Sequence, residues 1–261
     1  MQFESGYSIV NGLKMYYQIY GSGAIPLVLV HGGGSTIETT FSNIIPFLAA
    51  NRMLIGVDLQ AHGRTGDREA GVTFAQDADD VAALLSNLGF GQADFMGFSN
   101  GGSSVLQVAI RHPGLVRKLI AVAACTKRAG LMPGFFEFME TASLDNMPAP
   151  LQEAYLAVAE NKEGLQVMHD KDRDRMRAFK DWPDESLRAI DVPALIMTGN
   201  RDVVTVAHTT EISELIPNAE LLVMPGVHGE CIGEICTFQQ GSRLPEFTAY
   251  VVNEFLERQN G

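Results

Sequence analysis

A serine between two glycines is the most reactive-looking feature of this chain. Ser99 stands in Gly97-Phe98-Ser99-Asn100-Gly101. An apolar run, Ala93 to Met96, precedes it, and a helical pattern through Ile110 follows. A strand, a serine flanked by glycines and a helix together read as a nucleophile elbow. The serine sits on a strained turn that lifts its hydroxyl off the sheet, and small neighbours let the backbones pass closely. The helix N-terminus favours negative charge beside the serine.

A serine hydroxyl is a poor nucleophile at neutral pH. It needs a base, and the base needs an orienting group. The chain has six histidines. His228 falls just past the last apolar strand, at the sheet edge where functional groups gather. His62, in a loop after a strand, is the runner-up base. His31 ends a strand and reads as a structural imidazole bonded to backbone. His112 belongs to the far end of the helix that Ser99 opens. His169 and His208 fall in helical patterns and read as exposed. Among carboxylates, Asp202 follows the strand ending at Gly199, whereas Asp191 precedes it and lies at the opposite edge. Asp58 reads as a loop brace bonding backbone N–H groups. Glu230 is too near His228 along the chain to orient it.

The elements that must position these groups alternate. Asn11-Gly12 between two strand-like runs signals an antiparallel hairpin. Pro26 to Val30, Met53 to Val57 and Lys118 to Ala124 are buried-type strands separated by helical patterns, one of them from about Glu38 to Ala50. That rhythm predicts a parallel sheet with helices on both faces. It breaks between 126 and 186, where no strand-like run occurs. Residues 1–125 and 187–261 therefore read as one core, and 126–186 as a helical insertion over the carboxyl end of the sheet. The insertion holds Phe135, Phe136, Phe138 and Met139. These side chains line a lid over a pocket, or equally pack small helices on the core.

Composition narrows the partners. The net charge is −12 and no basic face is available, so nucleic acid is not an expected partner. The run Lys171 to Lys180 alternates in sign and reads as a solvated helical face. No signal peptide and no membrane-length apolar window occur, and three cysteines form no paired cluster. These features predict a cytoplasmic protein with reduced thiols, no membrane partner, no metal and no cofactor. A small molecule is the expected partner, and oligomeric state is not readable.

Ser99, Asp202 and His228, in that order and each just after a strand, resemble the α/β-hydrolase superfamily. So do His31-Gly32-Gly33-Gly34, the segment Asp58 to Thr65, and Gly226-Val227-His228. The resemblance spans essentially the whole chain. It implies an eight-stranded, mostly parallel sheet, a small helical cap between the sixth and seventh strands, and a catalytic triad of these three residues. It also implies an oxyanion hole built from the backbone N–H groups of Asn100 and Gly33, with Gly34 as the alternative donor. The family loop D-x-x-G-x-G-x-S is altered, with Ala61 at the first glycine and Thr65 at the serine. The stretch from Gly229 to Arg243 is longer than usual and has no assigned role. The implied activity is hydrolysis of a carboxylic ester of a small, partly apolar substrate through an acyl-enzyme. Alternatives on the same residues are a carbon–carbon bond hydrolase, a lactonase or a thioesterase. A lyase, a cofactor-free oxygenase or a non-catalytic ligand receptor shares the fold.

Overall fold

Asn11 and Gly12 turn the chain between β1 (Glu4–Val10) and β2 (Leu13–Tyr20), with φ of 48° and 80° and Val10 opposite Leu13. Positive φ at both central residues is the type I′ pattern, whose twist matches that of a tight two-residue hairpin. In the computed structural model, which describes residues 2–258, this hairpin forms one margin of an eight-stranded sheet.

The remaining strands are β3 (Leu27–Val30), β4 (Leu54–Val57), β5 (Ala93–Phe98), β6 (Val116–Val122), β7 (Ala194–Gly199) and β8 (Ala219–Met224). Their spatial order is β1-β2-β4-β3-β5-β6-β7-β8. β2 meets β4 antiparallel, and every pair from β4 to β8 is parallel. The order turns back on itself around β3, so the loop after β3 and the turn after β5 lie side by side at the carboxyl edge. That is where open α/β sheets bind ligands.

Helices cover both faces. Between β3 and β4 lie α1 (Ile37–Phe41) and α2 (Ile45–Leu48). The single helix expected there is broken, because Pro46 in the first turn of α2 has no N–H to continue the ladder of α1. α3 (Phe74–Asn87) precedes β5 and α4 (Asn100–Arg111) follows it. Leu27 and Leu29 of β3 face one apolar core with Phe41, Leu48 and Phe255. Val28 and Val30 face a second with Val81, Leu84 and Val105. β3 is buried along its whole length, which is why its sequence reads as an unbroken apolar run.

Between β6 and β7 run α5 (Phe135–Thr141), α6 (Ala149–Val158), α7 (Gly164–Arg177) and α8 (Asp184–Arg188). Among the described residues this segment contributes no strand to the sheet, only an isolated bridge from Leu131 to Val204. α9 (Val206–Leu215) joins β7 to β8, and α10 (Leu244–Glu257) packs beside α2.

Candidate active site

Ser99 connects β5 to α4 with φ 55° and ψ −119°. A non-glycine residue there costs roughly 1–3 kcal/mol and persists only where its surroundings enforce it. The Ser99 N–H donates to Val122 O at 2.8 Å, and its carbonyl accepts from Ser103 N–H. The flanking glycines permit the turn sterically. A Cβ on Gly97 would lie 2.1 Å from Gly101 O, and one on Gly101 would lie 2.1 Å from Val30 O.

The structure brings His228 and Asp202 to this serine. His228 Nε2 lies 3.1 Å from Ser99 Oγ, and its Nδ1 lies 2.7 Å from Asp202 Oδ1. Asp202 is buried and accepts from the backbone N–H of Val204 and, at 3.4 Å, of Gly199. Burial works against its charge, but the His228 hydrogen bond and charge and these N–H groups outweigh it. Its carboxyl is held below the usual carboxylate range. The Phe98 ring packs 4.6 Å from the imidazole.

The other histidines serve elsewhere. His31 is fully buried, donates from Nδ1 to Gly32 O and accepts Leu59 N–H at Nε2. This geometry requires the neutral ring, and burial and the neighbouring His62 push its pKa down to about 3. His62 lies in a pair with Asp172 at 2.9 Å, with its Nδ1 on Gln60 O. His112 binds Asp79 at the end of α4. Two exposures differ from the sequence reading. His208 is buried, accepting Thr126 N–H and donating to Glu211. His169 is half-buried and lines a cavity over Ser99. Asp58 braces its loop, accepting from the N–H groups of Ile37 and Arg64, and burial lifts its pKa to about 6.

Gly33 and Asn100 line one cavity with Ser99, and each carries a backbone N–H. Asn100 is the first residue of α4, so its N–H has no intrahelical partner. Among the described residues, the Gly33 N–H likewise finds no protein acceptor. Gly34 differs: its N–H donates to Asp172 Oδ2 at 2.7 Å. It is therefore committed, and Gly33 is the donor left free.

Above them is a cavity of about 240 Å³ floored by Gly33, Ser99 and Asn100. Phe135, Phe138, Met139, Met147, Leu151 and Met168 supply most of its apolar wall. Phe136, grouped with the pocket aromatics on sequence, is not among the lining residues. It stacks on Phe179, and Arg128 lies 3.5 Å over its ring, so packing and a cation–π contact claim it instead.

A family model described as alpha/beta hydrolase fold matches residues 25–175, more than half of the chain. The chain belongs to the alpha/beta hydrolase fold family. It is 28% identical over 252 residues to a non-heme haloperoxidase of Rhodococcus erythropolis, covering 85% of this chain and 91% of that one. A serine hydrolase involved in carbazole degradation superposes with a TM-score of 0.79 at 22% identity, over 98% of this chain and 99% of the other. An N-acyl homoserine lactone degrading enzyme superposes with a TM-score of 0.71 at 26% identity, over 96% and 98% of the two chains.

In this alpha/beta hydrolase, two altered positions of the loop after β4 are accommodated locally. Ala61 adopts φ 65° where a glycine is usual. Thr65 Oγ1 donates to Asp58 O and accepts Tyr16 N–H, two bonds a serine could equally make. The long stretch after His228 also has a physical role. Thr237 Oγ1 donates to His228 O, and Ile235 N–H donates to Thr39 O, tying the His228 backbone to α1.

Sequence reasoning missed Asp172 and Arg175. The alternating run on α7 is not simply a solvated face. Arg175 is buried and pairs with Asp77 at 2.9 Å, and Asp172 reaches His62 and Gly34. The available signal was their spacing of one helical turn, but nothing in that spacing says which face is inward.

Proposed function

We propose that the protein is a serine hydrolase that cleaves a carboxylic ester of a small molecule with an apolar group. The observation that carries the reading is the unbroken hydrogen-bond chain Ser99–His228–Asp202, with Ser99 on the floor of an apolar cavity. Ser99 Oγ attacks the ester carbonyl while His228 Nε2 takes its proton. Asp202 holds the imidazole with Nδ1–H toward itself and stabilises the imidazolium. The N–H groups of Gly33 and Asn100 bind the oxyanion, each contributing about 3–4 kcal/mol to the transition state. The imidazolium protonates the departing alcohol. A water, deprotonated by His228, then releases the acid and restores the Ser99 hydroxyl. The segment 126–186 acts as a cap whose Phe135, Phe138 and Met139 receive the apolar group.

A lactone is the same bond closed into a ring. The likeness to the N-acyl homoserine lactone degrading enzyme supports it as a second reading. The test is a fluorophosphonate label on the wild type and on Ser99→Ala, followed by a graded panel of nitrophenyl esters, thioesters and lactones. Labelling confined to the wild type, with nitrophenyl esters turned over fastest, is the expected result. Turnover that survives Ser99→Ala would remove Ser99 from the mechanism. Faster lactone turnover would select the second reading.

A further inference from the structure

Resting on that reading, we infer that Asp172, brought down by α7 onto the loop after β3, is a positioning residue for the Gly33 oxyanion donor. Its Oδ2 accepts the Gly34 N–H at 2.7 Å and faces His62 Nε2 at 2.9 Å. A Cβ placed on Gly33 would lie 3.2 Å from this same oxygen and 2.6 Å from the Asn100 side-chain amide nitrogen. Asp172 and Asn100 thus wall the Gly33 peptide on one side. By holding the next peptide's N–H, Asp172 leaves the Gly33 N–H as the free donor beside Ser99.

A carboxylate this close to a developing oxyanion would oppose it unless neutralised. His62 supplies the neutralising charge by geometry. Its Nδ1 faces Gln60 O and its Nε2 faces Asp172, two acceptors, so both hydrogen bonds form only in the imidazolium. The ring is 1% exposed, which keeps that charge beside its partner.

The second foot of the same helix reaches the other donor's element. Arg175, one turn on, pairs with Asp77, which accepts from Ser104 Oγ on α4. The same hydroxyl lies 3.0 Å from Asn100 O. The helix therefore touches the neighbourhoods of both donors, but only Asp172 bonds the glycine loop directly. That difference separates positioning from mere docking.

The experiment compares Asp172→Ala, Asp172→Asn and, as a docking control on the same helix, Lys171→Met in the full chain. It reads kcat and KM on one nitrophenyl ester, together with the Gly34 amide resonance in ¹⁵N-glycine-labelled protein. Asp172→Ala is expected to lower kcat about 100-fold with KM changed less than about threefold, as when one oxyanion donor is lost. The Gly34 amide proton moves upfield. Asp172→Asn, which keeps an acceptor, retains kcat within about tenfold of wild type. Lys171→Met removes only the contacts of α7 to Asp67, Arg68 O and Ala70 O, so it lowers stability while leaving the Gly34 resonance and kcat per folded molecule near wild type. An unmoved Gly34 resonance in Asp172→Ala overturns the inference, as does a moved resonance with unchanged kcat. An equal kcat loss in Lys171→Met also overturns it, by reducing Asp172 to docking. If Asp172→Ala does not fold, Asp172→Asn decides: a Gly34 resonance and a kcat that hold or shift together support the inference, and one shifting without the other overturns it. A wild type that neither labels nor turns over ester defeats the hydrolase reading, whereas the Gly34 resonance still reads the Asp172 contact.

Discussion

Oδ1 of Asp202 lies 2.7 Å from Nδ1 of His228, although 26 residues separate them in the chain. The contact fixes which imidazole nitrogen carries the proton, and so leaves Nε2 as an acceptor toward Ser99. Asp202→Asn keeps the shape but offers the wrong hydrogen-bonding partner. It is expected to lower kcat about 10⁴-fold with little change in the thermal midpoint. Steady-state kinetics beside a melting curve checks both halves.

Ser99 pays for its position in backbone strain. With φ 55° and ψ −119° it occupies a region that glycine tolerates. Ser99→Gly is therefore expected to abolish ester turnover and to raise stability by about 1 kcal/mol. For a chain of this size that is roughly 2–4 °C in Tm. A lowered Tm would show that the hydroxyl's contacts outweigh the strain.

The elbow's glycines are steric requirements. A Cβ on Gly101 would sit 2.1 Å from the Val30 carbonyl oxygen, a backbone atom inside the sheet. Gly101→Ala is expected to cost about 3 kcal/mol or more, or to prevent folding. Denaturant unfolding, or the soluble yield, measures it.

The Asp172–His62 pair gives a pH dependence of stability. Burial opposes both charges, yet each group holds the other ionised. The His62 pKa is raised above its ordinary 6.5, and that of Asp172 is held well below its ordinary 3.8. For a raised histidine, the stabilisation is full below 6.5 and is lost as pH climbs through the folded value. For a depressed carboxylate, it is full above 3.8 and is lost as pH falls through the folded value. The gap in stability between wild type and Asp172→Asn is therefore expected to be widest from about pH 4 to about 6.5, roughly 3 kcal/mol, and to shrink on either side. Urea unfolding across pH 3 to 9 tests this; a gap that widens above pH 7 contradicts it.

Phe135 and Phe136 are neighbours with opposite duties. Phe135 lines the cavity, while Phe136 stacks on Phe179 under Arg128. Phe135→Ala is expected to shift the preferred acyl length upward, whatever it costs in stability. Phe136→Ala should leave acyl preference alone and cost about 2–3 kcal/mol, since its ring is partly buried. An ester series of increasing chain length distinguishes the two.

Much of this molecule is legible in its residues. The hairpin follows from Asn11-Gly12, and the covered strands follow from unbroken apolar runs such as Leu27 to Val30. Ser99, Asp202 and His228 could be chosen because each follows a strand of one parallel sheet, and such strands all end at one edge. Local steric and hydrophobic rules act over short distances, so they leave marks in short stretches of sequence.

The residues alone therefore specify the alternation of elements, the strained serine and the edge at which reactive groups gather. Long-range packing sets the rest: Gly34 is engaged and Gly33 is free, Phe136 leaves the cavity, and α7 turns Asp172 and Arg175 inward. These outcomes depend on contacts between segments as far apart as Gly34 and Asp172. A buried charge is stable only opposite its partner, and no local pattern says where a distant partner will come to lie.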